Sequence, residues 1–278
     1  MNQYGNFAYV YDQLMDDVDY DAWVGHIEDL IDKSGASVKN ILELACGTGN
    51  ITIPLAQSGY DIAGIDISED MLGVALEKSE SMGLPLVLLE QDIVDLDFDL
   101  YDLDCVLCAC DGFNYVTSLD DLTKVFAKVY ELLKPGGVFV FDISSHYKLS
   151  QVLGNNFMGE SREDISYMWT NYYDEGNQLL EMNLDFFLKI DDQDYERDEY
   201  EEADQGSNKL LEDGSQLGCE DDNLYERYRE VHLQRAHKED EIVDTLKNVG
   251  FEKIDSYGDF GMDRPGDKAE RIFFTAVK

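Results

Sequence analysis

Positive charge is what this sequence has least of: 21 Lys+Arg stand against 60 Asp+Glu, for a formal net charge of −39. A nucleic-acid binder displaces counterions with basic stripes, and no Lys/Arg cluster is present to form one. Long-range electrostatics therefore disfavour DNA, RNA and anionic membranes as partners, and the acidity reads as a heavily hydrated surface. No hydrophobic run is long enough to span a bilayer. Met1 to Phe7 lack the basic and apolar regions of a signal peptide. The five cysteines are an odd number, and Cys105, Cys108 and Cys110 crowd one apolar run, which is not a disulfide framework. These absences lead to the expectation of a protein of the reducing cytoplasm.

Apolar material is ample. Of 278 residues, 44% are hydrophobic and 12% aromatic, enough for a sizeable core. The length accommodates one large domain, or one domain with an inserted subdomain. Residues 7–33 read as two helices: Phe7, Val10, Tyr11 and Leu14 recur at helical spacing, then Trp23, Ile27, Leu30 and Ile31, with Gly35 as the stop. Short strands and helices then alternate. Strands are expected at 40–45, 61–65, 85–89, 103–110 and 138–143. Helices are expected at 50–57, around Met71 to Leu76, and at 118–133, before Lys134-Pro-Gly-Gly137. Such alternation marks a parallel sheet covered on both faces, the doubly wound α/β arrangement.

The alternation stops between 146 and 236. Strands are expected at 165–173, 179–190 and 224–235, with a turn at Asp174-Glu-Gly-Asn177. Between them, 191–223 is dominated by Asp and Glu with Gly and Ser, and reads as a long solvated loop. A helix returns at 238–249, with Gly250 as its cap, followed by strands near 251–257 and 271–277. The expected division is one domain made of 1–145 and 237–278, interrupted by an antiparallel β subdomain over 146–236. No internal repeat is present.

The chemistry concentrates in Glu43-Leu-Ala-Cys-Gly-Thr-Gly-Asn50, after the first strand. Gly47 and Gly49 allow a tight turn and let the backbone approach a ligand where a Cβ would collide. Such a turn binds a dinucleotide pyrophosphate in some folds, and in others is only a strand–helix connection. The NAD pattern, Gly-x-Gly-x-x-Gly/Ala, is broken by Thr52. Glu43 also places an acid before the turn, which would repel a pyrophosphate but can bind the amino end of an amino acid. Asp66 closes the second strand about twenty residues after the turn, where a carboxylate can accept both hydroxyls of a ribose or cap the next helix. Asp92, closing the third strand, reads either as a binding group or as a turn former.

With Glu43, Ala45, Gly47 and Gly49 in this order, the sequence resembles the class I S-adenosylmethionine (SAM)-dependent methyltransferases. Their first motif is an acid followed by alternating glycines, and Ala45 replaces the first Gly, adding one methyl. The resemblance covers roughly 40–143, and 238–278 through the final helix and strand pair. It implies a Rossmann-like, mostly parallel seven-stranded sheet and SAM as cofactor. It implies that Glu43 lies at the floor of the SAM pocket and that the Gly47–Gly49 backbone lies against the methionine part. By the same resemblance Asp66 takes the ribose hydroxyls, and Ile67 and Met71 follow it toward the adenine. Asp92 meets the adenine N6 amine, with the Ile93 amide near N1. Lys134-Pro-Gly-Gly-Val138 matches a structural turn of the family. The opening Tyr11-Asp-Gln-Leu-Met15 is similar to a bacterial subgroup whose N-terminal helices cap the SAM site and whose inserted strands form a lid.

Methyl transfer from a sulfonium is an in-line displacement, so the enzyme chiefly holds nucleophile, methyl and sulfur in line and excludes water. A base is required only for a protonated acceptor. Candidates follow the fourth and fifth strands, at the carboxyl ends. Asp111 is placed to touch the methionine end of SAM or the acceptor, with Asn114 and Tyr115 beside it. His146 has a pKa suited to a base, or is a solvated loop residue. Tyr11 and Trp23 either cover the sulfonium by cation–π contact or simply pack the helices. Tyr172, Tyr173, His232 and Arg235 are acceptor-pocket candidates from the lid, although alternation puts His232 and Arg235 on opposite faces. Cys105, Cys108 and Cys110 lie within a strand rather than on converging turns, so no metal site is expected. Cys46, inside the Gly turn, has no catalytic use implied. The expected activity is SAM-dependent methylation of a small-molecule acceptor, neutral or cationic given the acidic field. The competing readings are a SAM-binding regulatory module without catalysis and an NAD-dependent oxidoreductase.

Overall fold

The computed structural model describes residues 5–97, 102–190 and 224–278. The acidic stretch 191–223 lies outside the described residues. Two helices open the chain, α1 (Gly5–Leu14) and α2 (Tyr20–Ser34). The Asp19 carboxylate caps α2 by accepting from the Ala22 amide at 2.9 Å, and Gly35, in the left-handed region at φ 78°, ends it. The alternating region follows as β1 (Asn40–Leu44), α3 (Thr52–Gln57), β2 (Asp61–Asp66), α4 (Glu69–Ser81), β3 (Val87–Glu90), β4 (Leu103–Cys108), α5 (Leu119–Leu132) and β5 (Leu133–Ser144). Ser68 and Ser118 hydroxyls cap α4 and α5.

With β10 (Lys253–Gly258) and β11 (Arg271–Val277), these strands form one seven-stranded sheet in the order β3-β2-β1-β4-β5-β11-β10. β11 runs antiparallel to both neighbours; β1 through β5 pair in parallel. Side chains alternate across the sheet. Val106, Cys108, Phe139, Phe141 and Phe274 face α5 and α6 (Glu239–Val249). Cys105, Leu107, Val138, Val140 and Phe273 face α2 and α3. The doubly wound arrangement follows directly. The chain order reverses between β1 and β4, which opens a crevice at the carboxyl ends of those strands.

Lys134-Pro-Gly-Gly137 was expected before the fifth strand, yet β5 already begins at Leu133. Leu103 pairs with Leu133 and Cys105 with Val138, so the four residues bulge out of the ladder. A Cβ on Gly137 would stand 3.0 Å from the carbonyls of Leu103 and Lys134, which is why the bulge carries glycine there.

A second, antiparallel sheet has the order β6-β7-β8-β9, from β6 (Phe157–Ser161), β7 (Ile165–Asp174), β8 (Leu179–Lys189) and β9 (Tyr225–Arg235). β6 was not foreseen; it is an edge strand of five residues, exposed at nearly every position, so no apolar alternation announces it. One face of this sheet packs through Ile165, Leu184 and Phe186 on Ala8, Val10 and Met71 of α1 and α4. Near its other end Leu180 and Met182 pack on Leu149 and Ala236. The sheet thereby bridges the carboxyl ends of the parallel strands. No helix among the described residues is long and apolar enough to cross a membrane.

Candidate functional site

The crevice has two halves. The first is the glycine turn after β1. Ala45, Gly47 and Gly49 all adopt left-handed backbones, at φ 53°, 53° and 77°. Ala45 therefore costs more than a methyl group: an L residue there carries strain of about 1–2 kcal/mol. A Cβ on Gly49 would press on Ala75 at 3.2 Å and Ile53 at 3.3 Å, so Gly49 serves helix packing. A Cβ on Gly47 would meet nothing within 4 Å; its backbone faces open space.

Beneath the turn, Glu43 is 2% exposed and accepts a hydrogen bond from the buried Thr52 hydroxyl. Burial, with the charge of Asp66 adding and the Thr52 bond opposing, pushes its pKa up to about 8. At neutral pH Glu43 is thus largely protonated before any ligand arrives. This revises the sequence argument that its charge would repel a pyrophosphate. Thr52 is also more than a break in the NAD pattern, because it is Glu43's buried partner. Asp66, 8% exposed, accepts from the Gly47 amide at 2.8 Å and the Ser68 amide at 2.9 Å, one on each oxygen. Burial raises its pKa, and these amides oppose the shift. Each oxygen retains acceptor capacity for a hydroxyl. Ile67 beside it is 54% exposed, whereas Met71 is buried under α1 and the second sheet. Asp92 accepts from the Val94 amide at 2.9 Å, so one of its oxygens forms the turn, and Ile93 packs on the core. Cys46 is buried, and its thiol pKa is raised, chiefly by that burial.

Asp12 clasps α1 onto the turn. One of its oxygens accepts from the Thr48 hydroxyl at 2.7 Å and the Asn50 amide at 2.9 Å; the other pairs with Lys78 at 2.8 Å. Burial would raise its pKa, but the bonds from Lys78, Thr48 and Asn50 hold it below the usual range. The sequence reading passed through Asp12 in Tyr11-Asp-Gln-Leu-Met15 without assigning it this task. Tyr11, next to it, is held un-ionised by burial, with Tyr20, Cys110, Asp111 and Tyr115 around it.

The second half lies after β4 and is ionic. Cys110 and Asp111 are both left-handed, at φ 56° and 57°. Their amides donate to the two oxygens of Asp142 on β5, at 2.8 and 3.1 Å. Arg271, the first residue of β11, donates to Asp142 and, at 3.1 Å, to Asp111. The Gln234 amide of β9 donates to the other Asp111 oxygen at 3.2 Å. Burial pushes the Asp142 pKa up to about 6; Arg271 opposes the shift and Asp111 adds to it. The Arg271 guanidinium lies 4.6 Å from the ring centre of Trp23. Phe260 and Phe273 also meet the Trp23 ring edge-on, each with ring centres 5.3 Å apart.

Asn114 is a structural staple. Fully buried, it donates to the carbonyls of Ser144 and Arg235 and accepts from the Ser144 amide, at 2.9–3.0 Å. Tyr115, 40% exposed, meets Nδ1 of His232 at 3.2 Å. Burial lowers the His232 pKa to about 4, so its ring is neutral at neutral pH. His232 and Gln234 share one face of β9, while Leu233 is exposed on the other and Arg235 pairs with Glu241 at 3.3 Å. His146 contacts the Tyr173 hydroxyl and Ser150 Oγ, each at 3.4 Å. Its pKa is lowered by burial and then by Lys238. Tyr172 is exposed on the outer face of the second sheet. Among the described residues no group of three His, Cys, Asp or Glu is placed to hold a metal.

A sheet of this order with its antiparallel β11, and a left-handed glycine turn above a buried acid, define the class I methyltransferase architecture. A family model described as methyltransferase domain matches residues 41–137. YqeM of Bacillus subtilis (strain 168), named as a methyltransferase, is 32% identical over 275 residues, 99% of this chain and 97% of that protein. A SAM-dependent methyltransferase from Clostridium acetobutylicum ATCC 824, known as a crystal structure, superposes with a TM-score of 0.79 at 32% identity, covering 98% of this chain and 97% of that one. A glycine/sarcosine N-methyltransferase of Halorhodospira halochloris is 27% identical over 229 residues, 82% of this chain and 70% of that protein. The chain belongs to the SAM-dependent methyltransferase family. It is an enzyme, and SAM is its cofactor. The residues present fit that group: the backbone at Gly47 faces open space, beside a buried carboxylate able to accept hydroxyls.

Proposed function

We propose that this enzyme methylates a small molecule, and that the accepting atom is an amine nitrogen. The observation that carries the reading is the acidity of the chain, whose net charge of −39 favours a neutral or cationic guest over an anionic one. The 27% identity to a glycine/sarcosine N-methyltransferase supports the same acceptor chemistry.

In this reading Glu43, Gly47 and Gly49 receive the methionine part of SAM, and Asp66 the ribose hydroxyls. Ile67 and Met71 take the adenine face, and Asp92 with the Ile93 amide its edge. Asp111 addresses the α-ammonium. Bound SAM supplies the electrophilic methyl group. Tyr11 lies over the reacting centre and helps keep water out. The β subdomain over 146–236 acts as a lid on the acceptor. An ammonium acceptor must lose a proton before it can attack, and His146, neutral at neutral pH, is the candidate to take it. The reaction takes place in the cytoplasm.

Two measurements test this. Thermal melts with S-adenosylhomocysteine (SAH), SAM and NAD should show shifts with the two adenosyl ligands alone; at about 100 Kd a ligand adds about 2.7 kcal/mol. Incubation with methyl-tritiated SAM and panels of amines, alcohols, thiols, RNA and protein should place label on small amines. Label on RNA or protein instead would discard the acceptor assignment.

A further inference from the structure

Arg271 lies 160 residues from Asp111 in sequence and belongs to no motif, yet four parts of the molecule meet at it. It opens β11, opposite Ser144 at the end of β5. Its Nη1 donates to Asp142, on β5, and to Asp111, after β4. Its guanidinium lies over Trp23 of α2. Through Asp111 it is joined to Gln234 of β9.

We infer that Arg271 is the positioning residue for the methyl donor: it fixes the Asp111 carboxylate toward the SAM α-ammonium, with Trp23 as its own clamp. The inference rests on the reading of Asp111 as a donor-site carboxylate.

The backbone alone does not aim that side chain. Asp142 pins the amides of Cys110 and Asp111, which holds the left-handed turn in place. It makes no contact that orients the Asp111 carboxylate. That is done by Arg271 on one oxygen and Gln234 on the other. Of the two, only Arg271 carries charge, and only Arg271 is built into the central sheet. Burial alone would make Arg271 a poorer cation, but Asp142 and Asp111 more than compensate, so it stays charged. A lysine could not substitute fully. An ammonium has no planar face to lie on Trp23.

SAH carries the same α-ammonium as SAM, so the test needs no acceptor. Calorimetric titration with SAH is run on the native chain, Arg271→Met, Arg271→Lys, Asp111→Asn and the Arg271→Met/Asp111→Asn double variant, each first checked by thermal melt. Arg271→Met and Asp111→Asn should each weaken SAH about tenfold or more. If Arg271 acts through Asp111, the double variant should be no weaker than the worse single one. Arg271→Lys should fall between native and Arg271→Met. Should Arg271→Met not fold, the cycle is closed with Arg271→Lys, which keeps the charge, and the same non-additivity is expected. Native affinity in Arg271→Lys and Arg271→Met overturns the inference. So does a double variant whose loss is the product of the single losses, because a merely structural arginine acts independently of Asp111. Absence of binding by the native chain would instead strike at the donor site itself.

Discussion

The two halves of the crevice solve one problem, buried acids, in opposite ways. On the β1–β2 side Glu43 is neutralised by taking a proton, and Asp66 is met by backbone amides. On the β4–β5 side Asp111 and Asp142 are met by an arginine from a distant strand. The first solution is local and needs no partner from elsewhere. The second ties the turn after β4 to β11, to α2 and to the second sheet. A neutral carboxyl can change its charge when a cation arrives, whereas an ion triad keeps its geometry. The two halves are therefore suited to different tasks, accommodation on one side and aim on the other.

The largest effect should come from breaking the ionic half. Asp142→Ala removes the acceptor of two amides and leaves Arg271 buried with half its compensation, which should cost about 3–5 kcal/mol in urea unfolding. A loss below about 1 kcal/mol would mean that solvent reaches this network and the contrast does not hold.

The local half should show itself through pH. The folded pKa of Glu43, about 8, lies above its unfolded value of 4.5. The folded state thus keeps a proton that the unfolded state gives up. Glu43's contribution is fully present below pH 4.5 and lost as pH rises through 8, on the order of 5 kcal/mol in all. The ligand-free protein should therefore lose stability from pH 5 to 8, and Glu43→Gln should flatten that decline. A Gln variant with the native slope would show that Glu43 is ionised after all.

Asp66→Ala should weaken SAH binding by about 1.5–3 kcal/mol, the range for hydrogen bonds to a charged group. Unchanged affinity would remove Asp66 from the ribose. The smallest effect separates the two glycines. Gly49→Ala meets Ala75 and Ile53 as well as backbone strain, and should cost about 1–3 kcal/mol of stability. Gly47→Ala meets strain only, about 1 kcal/mol, but should impair SAH binding more. Equal stability and equal affinity in the pair would erase the distinction between packing and cradle.

What could be read from the sequence follows the same division. Glu43, Gly47, Gly49 and Asp66 lie within a short span, and a strand–turn–helix–strand unit fixes their relative places before any tertiary contact. The doubly wound sheet was legible for the same reason, since its periodicity is local. Asp111 was legible only by position, after the fourth strand. Arg271 and Gln234 carried no such mark, because their proximity to Asp111 is created by the strand order and by the placement of β9. The one available hint was a lone charged residue opening the largely apolar run Arg271 to Val277. Asp12 shows a subtler gap: its motif was visible, but its bonds to Thr48, Asn50 and Lys78 depend on where α1 is laid down. The protonation of Glu43 was invisible because burial, not residue type, sets it.

The place of β11 in the sheet also has a consequence for biosynthesis. Asp142 and Arg271 are 129 residues apart, and β5 has no partner on that side until β11 is inserted. A ribosome that has delivered the whole glycine turn, the first five strands and the strands of the second sheet has made a chain with an open sheet edge, and with Asp111 and Asp142 lacking their shared counter-ion. Such an edge is a template for mispairing. In the interval before β11 is made, β5 has an unpaired side and Asp111 and Asp142 have no arginine to share. A chaperone that shields a strand edge would matter most during that interval.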